Sequence, residues 1–342
     1  MRIVVAYSKP QHSPYEALDE REAEDSIVAT VETVEAALQA QGHSVTRLPV
    51  EPPLAPVTAM LRALAPDLIF NLFEGFAGRP EAEAEAAALF QGVGVPMTGA
   101  LAPTLALCLD KAKTKEALME AGVPTPDYQR LAGDEAGRFA LRYPVIVKPV
   151  REDASHGCTA DSVVHDAAAL RRQLGRVALS FGGEALVERF LLGREFNASV
   201  LGGVSPVVLP PSEIVFTDGM PGPKMLTYAA KWRQEAPEYR SSLPACPALV
   251  TAAMRRQIEQ LALAAHRAVG SPPYARVDMR CDGRGRPHVL EVNPNPDISV
   301  EGGMALQATV AGLGYDGLIQ RIVALAVEEE KSGSHDAASH AL

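Results

Sequence analysis

Residues 274–297 read Tyr-Ala-Arg-Val-Asp-Met-Arg-Cys-Asp-Gly-Arg-Gly-Arg-Pro-His-Val-Leu-Glu-Val-Asn-Pro-Asn-Pro-Asp, and the organisation of the chain is clearest from this stretch. Two runs of alternating apolar residues, 276–281 and 288–293, flank a loop at 282–287 that is rich in glycine, proline and aspartate. Such a pattern is typical of a β-hairpin. The sequence therefore predicts two antiparallel strands here.

Charged and amide side chains share one face of this predicted hairpin. Successive side chains of a strand point to opposite faces, so Arg276, Asp278 and Arg280 lie on one face of the first strand. Glu291 and Asn293 lie together on one face of the second strand. The two strands therefore present oxygen atoms and guanidinium groups side by side.

The register of the hairpin decides whether these oxygens converge. In an antiparallel pair the numbers of facing residues have a constant sum, and an even-length loop places Asp278 opposite Val289 or Glu291. Asp278, Glu291 and Asn293 then meet on one face, as hard oxygen ligands that suit Mg²⁺ and the phosphates it carries. A half-exposed hairpin with a charged solvent face would show the same pattern.

Length, composition and charge restrict the classes of protein. The chain has 342 residues, 47% of them hydrophobic and 22% charged, which is typical of a soluble protein with two or three domains. The net charge of −10 argues against a nucleic-acid or anionic-membrane partner. The four cysteines lack C-x-x-C spacing. With no signal peptide and no apolar run near the roughly 18 residues of a membrane span, we expect a cytoplasmic protein.

Strands and helices alternate over about the first hundred residues, which predicts a doubly wound α/β unit. A smaller α+β segment follows, and the chain is rich in strands from residue 195. The polar, proline-rich stretch 217–247 is predicted to be a mobile loop. A last helix is predicted at 315–330, and the tail 331–342 is predicted to be disordered.

Two lysines and a small-residue loop are candidates for phosphate binding. Lys148 ends an apolar strand, and the small residues of 151–159 allow backbone N–H groups to approach an anion. A solvated lysine at the end of a strand is the plain alternative. Taken alone, Lys111 indicates a solvated helix face and His156 the surface of a loop.

The segment around Glu188 and Glu195 is a candidate for nucleotide binding. One acid can accept from an exocyclic amine and the other from ribose hydroxyls, while Phe190 and Leu191 cover a flat base. The same apolar pair is also compatible with an ordinary core. Lys231, in the long polar stretch, can close on phosphates or belong to a basic loop patch.

Taken together and in order, these segments resemble the ATP-grasp superfamily, and within it the D-alanine–D-alanine ligases. The resemblance covers residues 1–330 and is carried by 98–99, 109–115, 122–126, 144–149, 186–196, 276–278 and 290–293. It implies an α/β fold, α+β in the lid, with three domains. These would be an N-terminal domain at 1–102, a lid at 103–187 and a C-terminal domain at 188–330, with ATP between the last two.

The resemblance also implies roles for single residues, carried over by position. The ATP phosphates would be bound by Lys111, Lys148 and the loop Ser155, His156 and Gly157. Adenine would be bound by Glu188, Phe190 and Leu191, ribose by Glu195, and two Mg²⁺ ions, replaceable by Mn²⁺, by Asp278, Glu291 and Asn293. Of the two catalytic residues, Lys231 would be the lysine of the lid loop, and Arg276 would stabilise the transferring phosphoryl group.

The implied reaction is an ATP-dependent ligation. A carboxylate attacks the γ-phosphate to give an acylphosphate and ADP; an amine then attacks the acyl carbon, and phosphate leaves as the amide bond forms. The partners are small amino acids or amines, and relatives of this kind are often homodimers. The family's N-terminal glutamate, which meets the first substrate's amino group, has no secure counterpart among Glu20, Glu22 and Glu24.

The substrate positions depart from the pattern of the D-alanine–D-alanine ligases. Those ligases carry His-Gly where this chain has Glu74 and Gly75, and a glycine where it has Asp297; near their Ser-Leu pair it has Gly302 and Gly303. Acids that face a substrate favour an amine or cation over a second free carboxylate. We expect an amino-acid or dipeptide ligase with an altered pocket. The alternatives are a D-alanine–D-alanine ligase and a non-catalytic ATP-binding module.

Overall fold

The computed structural model describes residues 1–11, 18, 20, 22, 26–76 and 78–339. Its first part is a three-stranded parallel sheet in the order β2-β1-β3 with helices on both faces. The elements are β1 (Arg2–Ser8), α1 (Ile27–Ala40), β2 (Ser44–Val50), α2 (Val57–Leu64), β3 (Leu68–Leu72), α3 (Ala82–Gln91), α4 (Ala102–Leu109) and α5 (Lys111–Glu120).

Strand β1 is buried on both faces because its apolar run does not alternate with polar residues. Ile3 and Val5 pack into the core that contains α1, whereas Val4 and Ala6 pack into the core that contains α2 and α3. The predicted doubly covered sheet is confirmed. Helix α1 begins at Ile27, and residues 23–25 lie outside the described residues.

The second sheet is small and antiparallel, in the order β4-β7-β5-β6. Its elements are β4 (Tyr128–Leu131), β5 (Val145–Pro149), β6 (Val163–Val164), α6 (Ala167–Phe181) and β7 (Ala185–Arg189). Leu170, Leu174 and Val177 of α6 pack against Val145 and Val147 and form a core of their own. Strand β4 was not predicted.

The largest sheet has the order β11-β10-β8-β12-β13, with β9 paired to β8. The elements are β8 (Glu195–Leu201), β9 (Val207–Val208), β10 (Ser212–Phe216), α7 (Tyr228–Trp232), α8 (Pro237–Arg240), β11 (Ser242–Ala245), α9 (Ala252–Ala268), β12 (Tyr274–Cys281) and β13 (Pro287–Asn293). Val277 and Met279 of β12 join α9 in a core, so Arg276, Asp278 and Arg280 lie on the opposite face. The predicted hairpin is confirmed.

A β-bulge changes the register of this hairpin. Met279 faces Val289, whereas Asp278 faces Glu291, so Leu290 is an extra residue in β13. The prediction of one constant sum along the hairpin was wrong, because the bulge changes the sum between Asp278 and Met279. The loop that joins Cys281 to Pro287 also has an odd length, where an even length was assumed. An unbulged ladder with this loop would place Leu290 opposite Asp278. The bulge brings Glu291 to that position, so the predicted facing pair is nevertheless present.

The two last helices, α10 (Gly303–Val310) and α11 (Gly314–Ser339), return to the first sheet. Leu318 and Ile322 of α11 pack in the same core as Ile3 and Val5 of β1. Within the described part of the chain, no single helix is long and apolar enough to cross a membrane. The helices Gly303–Val310 and Gly314–Glu330 have the length and composition of a membrane span only when they are taken together. The chain bends by 105° between them.

Two predictions of disorder or mobility differ from the structure. The stretch 217–247 contains α7, α8 and β11. Thr227 caps α7, because its Oγ1 accepts a hydrogen bond of 3.0 Å from Ala230 N. Trp232 holds α7 in place through a hydrogen bond from its Nε1 to Ala154 O. Helix α11 continues to Ser339, within the tail 331–342 for which the sequence predicts disorder. Extending an existing helix carries no nucleation cost, which favours this continuation. Residues 340–342 lie outside the described part.

Candidate active site

Two adjoining cavities collect the residues singled out in the sequence. The larger, of about 1050 Å³, is walled by the small sheet on one side and the largest sheet on the other. The predicted residues that line it are Lys111, Lys148, Ser155, His156, Glu188, Phe190, Leu191, Glu195, Lys231, Arg276, Asp278, Glu291, Asn293, Asp297 and Gly302. Glu74 and Gly75 line the second cavity, and Gly157 lines neither.

A buried carboxylate joins two lysines at the small sheet. Lys148 Nζ lies 2.6 Å from Glu188 Oε1, and Lys115 Nζ lies 2.7 Å from Glu188 Oε2. Burial opposes ionisation of Glu188, but the two ammonium groups outweigh it and hold its pKa at about 2. Glu188 is therefore the counter-ion that orients Lys148 at the cavity wall. Its predicted contact with adenine stays a prediction.

Lys115 was not singled out in the sequence analysis. It is closed to solvent, and it also donates to Thr125 Oγ1 at 2.7 Å. Its position four residues after Lys111, on the same face of α5, was the available signal. Lys111 itself is buried and lies 3.7 Å from Asp153 Oδ1, where it lines the cavity instead of forming a solvated helix face.

Asp278 is held by four hydrogen bonds on the hairpin face. Arg276 donates from Nε to Oδ1 and from Nη2 to Oδ2, each at 2.8 Å. Asn197 Nδ2 donates at 2.6 Å and Asn293 Nδ2 at 3.0 Å. Burial opposes ionisation, but Arg276 and Asn197 keep the pKa of Asp278 below its ordinary value. Asn197 was missed in the sequence analysis because its pairing with Asp278 depends on the order of strands in the sheet.

Glu291 is a carboxylate on the same hairpin face that has no salt-bridge partner among the described residues. No side chain in the described ranges hydrogen-bonds or ion-pairs with it, although it lines the cavity opposite Asp278. The same ranges hold no cluster of three or more His, Cys, Asp or Glu side chains arranged to bind a metal. Two carboxylates and the Asn293 amide nevertheless fit Mg²⁺, which usually takes one or two carboxylates and completes its shell with phosphate and water. The residues present therefore suit the implied ion.

A second buried ion pair lies further along the same strands. Arg280 Nη1 donates to Glu195 Oε2 at 2.7 Å, and the Arg280 guanidinium lies 4.8 Å from the centroid of the Phe190 ring. Burial favours the neutral form and raises the pKa of Glu195 to about 7, in spite of Arg280. Arg280 shares a face with Arg276 and Asp278, as expected, but its contact with Glu195 required the pairing of β12 with β8.

The loop after β5 and helix α7 meet above the cavity. Ala154 and Ser155 have φ values of 53° and 64°, a left-handed conformation that costs a non-glycine residue free energy and is concentrated at functional sites. Trp232 Nε1 donates to Ala154 O at 2.8 Å and thereby ties this loop to α7. Lys231 lies beside Trp232 on the cavity wall, where burial and the nearby Arg276 lower its pKa.

His156 and Gly157 turn toward an acidic residue of the N-terminal part. His156 Nδ1 lies 3.0 Å from Glu20 Oε2, and Gly157 N donates to the same oxygen at 3.2 Å. His156 is buried, so the interpretation as a surface residue was wrong; packing against Tyr228 and Glu20 covers it. Glu22 accepts from Tyr228 Oη at 3.0 Å, and residue 24 lies outside the described part.

Comparison with solved structures defines the class of protein. A D-alanine–D-alanine ligase from Bacillus anthracis complexed with ATP superposes with a TM-score of 0.74 at 21% identity, covering 97% of this chain and 99% of that one. A cleft between a small antiparallel sheet and a larger sheet is the ATP-grasp architecture. The predicted fold class is thereby confirmed.

The sequence comparisons then place the chain within that class. Residues 118–324 match the family described as "D-ala D-ala ligase C-terminus". An uncharacterized protein, y4sG, of Sinorhizobium fredii is 31% identical over 331 residues, covering 95% of this chain and 93% of that protein. A D-alanine–D-alanine ligase of Gloeobacter violaceus is 31% identical over 311 residues, covering 89% and 95%. The chain belongs to the D-alanine–D-alanine ligase family, whose members are ADP-forming ligases that make C–N bonds.

Proposed function

We propose that the protein joins the carboxylate of an amino acid to the amine of a second amino acid or another amine, with ATP and Mg²⁺, through an acylphosphate. The observation that carries the proposal is Glu291, a carboxylate without a salt-bridge partner among the described residues, which the bulge places opposite the Arg276–Asp278 pair. Three lysines on different elements also line this cavity: Lys111 on α5, Lys148 on β5 and Lys231 on α7.

The side chains divide the work of phosphoryl transfer. Lys148, oriented by Glu188, and Lys111 bind the phosphates of ATP, and Arg276 faces the phosphoryl group that is transferred. Mg²⁺, held by Asp278, Glu291 and Asn293, supplies further neutralisation of the phosphate charge. Such catalysis consists mostly of positioning and electrostatic stabilisation, for which fixed charges are suited.

Exclusion of water protects the acylphosphate before the amine arrives. Trp232 donates to Ala154 O, and Tyr228 N donates to Cys158 O at 2.9 Å, so α7 closes against the loop that follows β5. A closed lid raises the electrostatic effect of the surrounding charges and prevents hydrolysis of the intermediate. We propose that α7 and this loop open to admit substrate and close for transfer.

The substrates are two amino acids, or an amino acid and another amine, other than D-alanine with D-alanine. Support comes from Glu74 and Asp297, which both line the second cavity. The second candidate is D-alanine–D-alanine ligation, favoured by the Gloeobacter violaceus relative of that name. A non-catalytic ATP-binding module is the least favoured, because a module has no use for Glu291 beside Arg276 and Asp278.

Assembly and location complete the proposal. We propose a homodimer, on the resemblance to ligases that are often dimers, and a cytoplasmic protein. Cys108, Cys158, Cys246 and Cys281 are all free thiols, which suits a reducing compartment. Light scattering of the purified chain at micromolar concentration tests the dimer directly.

The test is a substrate panel with the full chain. ADP release is followed with ATP and Mg²⁺ against D- and L-amino acids, dipeptides and amines, singly and in pairs, and products are identified by mass. The expected result is ADP release that rises several-fold with a particular pair, with a product equal to both substrates less one water. ATP binding without any stimulation across the panel would favour the module. A product only from paired D-alanine would favour the second candidate.

A further inference from the structure

The second cavity, of about 220 Å³, adjoins the larger cavity that is proposed to bind the phosphates. Several of the residues that line it have no role in phosphate binding. Lys231, Arg276, Asn293 and Asp297 line both cavities, so a molecule in the second reaches the reacting centre. Part of its wall is apolar, formed by Ile27, Phe76, Pro80, Leu105, Leu109 and Val292. The space therefore suits an aliphatic chain.

Carboxylates dominate the charge of this second cavity. Glu74, Glu83, Asp153 and Asp297 line it. Two of its cations are already neutralised, since Arg276 binds Asp278 at 2.8 Å and Lys9 binds Glu51 at 2.7 Å. The third cation is Lys231. No carboxylate of the described residues lies within salt-bridge distance of it. The cavity thus carries an excess of negative charge next to the reacting centre.

Hydrogen bonds hold the backbone of Glu74 in place, whereas its carboxylate has no donor among the described residues. Glu74 N donates to Ser8 Oγ at 3.0 Å, and Ser8 Oγ donates to Gly75 O at 2.8 Å, which fixes the turn to the end of β1. Gly75 has a φ of +86° and a Cβ there would lie 3.3 Å from Pro80 O, so this turn requires glycine. No side chain in the described ranges donates to the Glu74 carboxylate.

Asp297 approaches from the other side of the same space. Its Oδ1 accepts from Ser299 N at 2.8 Å, which fixes the side chain. Its Oδ2 lies 3.1 Å from the position that a Cβ on Gly302 would occupy, so glycine at 302 leaves room beside this oxygen. One oxygen of Asp297 is thus positioned by the backbone and the other is left for a ligand.

The electrostatics of the cavity favour a positive ligand. The Glu74 side chain is accessible from the cavity but surrounded by protein. Burial is the main cause that raises the pKa of Glu74 to about 7, and the charge of Asp297 adds to it. Burial and the neighbouring Asp153 raise the pKa of Glu83 to about 8, although Asn295 Nδ2 donates to it at 3.0 Å. A positive ligand would relieve this repulsion.

We propose that the second cavity binds the cationic end of one substrate, an ammonium or guanidinium group on an aliphatic stem, with Glu74 and Asp297 as the residues that determine this specificity. The substrate class is a basic amino acid or a diamine. The inference rests on the proposed ligase function and adds the chemical class of one substrate. The cationic group is bound and not consumed, while the reacting carboxylate or amine lies toward Arg276.

The test compares matched cationic and neutral substrates on the full chain. ADP release is measured with ATP and Mg²⁺ for lysine, ornithine, arginine and putrescine, each with a panel of second substrates. The neutral matches are compounds whose stem ends in an uncharged group: norleucine and alanine for the amino acids, and butylamine, which lacks the second ammonium group, for putrescine. We expect kcat/KM for a cationic compound to exceed that for its neutral match at least tenfold. Glu74→Gln and Asp297→Asn should each raise KM for the cationic compound about 10–100-fold, the worth of a charged hydrogen bond. Glu120→Gln, an exposed change of equal charge, should leave it unaltered.

The outcomes separate this inference from the ligase function itself. If neutral substrates turn over as well as cationic ones, or if Glu74→Gln leaves KM for the cationic compound unaltered, the cation site is overturned while the ligase stands. If no pair turns over, the ligase function fails, and binding of lysine, arginine and putrescine is judged by calorimetry. Binding that Glu74→Gln weakens supports the site; no binding, or equal binding to that variant, overturns it.

Discussion

Lys115 and Glu188 form a salt bridge of 2.7 Å between two side chains that are both closed to solvent. Buried ion pairs of this kind contribute little net stability when intact, but removing one partner leaves a charge without compensation. The pair therefore positions Glu188 and, through Glu188, also Lys148. Removing one partner of the pair would lower the free energy of unfolding.

Replacing Lys115 with methionine keeps most of the volume and removes the charge. We expect Lys115→Met to lower the free energy of unfolding by about 3–5 kcal/mol, because Glu188 then has Lys148 alone and Thr125 loses its donor. Urea denaturation measures the change. Lys113→Met, on the exposed face of the same helix, is the control and should stay within about 0.5 kcal/mol. Equal stability of the two variants would contradict the assignment.

The stability conferred by Glu188 should depend on pH in a defined direction. Its pKa in the folded protein is about 2 against an ordinary value of 4.5, so the folded state favours the ionised form. This contribution is fully present above pH 4.5 and is lost as the pH falls from 4.5 toward 2. We expect the difference in unfolding free energy between the natural protein and Glu188→Gln to be constant from pH 7 to 5. Below pH 4.5 it should shrink, and a difference that grows there would refute the prediction.

Glu291→Gln should separate activity from stability. The change keeps the shape of the side chain and removes the charge that faces the phosphates, so we expect kcat for ADP release to fall more than about a hundredfold. Because Glu291 has no protein partner in the described chain, the free energy of unfolding should change by less than about 0.5 kcal/mol. Steady-state kinetics and urea denaturation measure the two effects. Glu116→Gln, exposed on α5, is the matched control. Normal turnover in Glu291→Gln would remove the metal assignment.

Deletion of Leu290 tests the role of the bulge. Without it, Met279 still faces Val289 and Asp278 still faces Glu291, so β13 becomes a regular strand and the hairpin should form. The cavity loses the apolar side chain of Leu290, which is worth about 1.5–3 kcal/mol when buried. We expect KM for ATP to rise about tenfold or more, while Leu290→Met keeps it near the natural value. An unaltered KM in the deletion variant would show that Leu290 does not contact the nucleotide.

The sequence was most informative where one element determines the geometry. Arg276 and Asp278 were predicted to share a face because alternation along a strand is a local property, and the structure shows them hydrogen-bonded. The facing pair Asp278 and Glu291 was also predicted, although the bulge that produces it was not. A bulge depends on the odd-length loop and on packing of Val289 and Val292 into the core, which the local pattern does not reveal.

Contacts between distant segments could not be predicted in the same way. Glu20 meets His156, and Arg280 meets Glu195, across strands and loops whose neighbours depend on the tertiary fold. Lys115 was overlooked because a lysine in a lysine-rich helix is usually solvated, and burial by β7 and β5 is a tertiary effect. The sequence thus predicted a set of residues that line the cavity but few of the residues that hold them in place.

The core shared by β1 and α11 has a consequence for the order of synthesis. Ile3 and Val5 are synthesised long before Leu318 and Ile322, which pack in the same core. A ribosome-bound chain that lacks α11 has α1 but not α11 to cover this face of the first sheet, even though its three strands have already emerged. The first sheet therefore reaches its final packing only after α11 has been synthesised, and truncation before residue 314 would expose part of this apolar core.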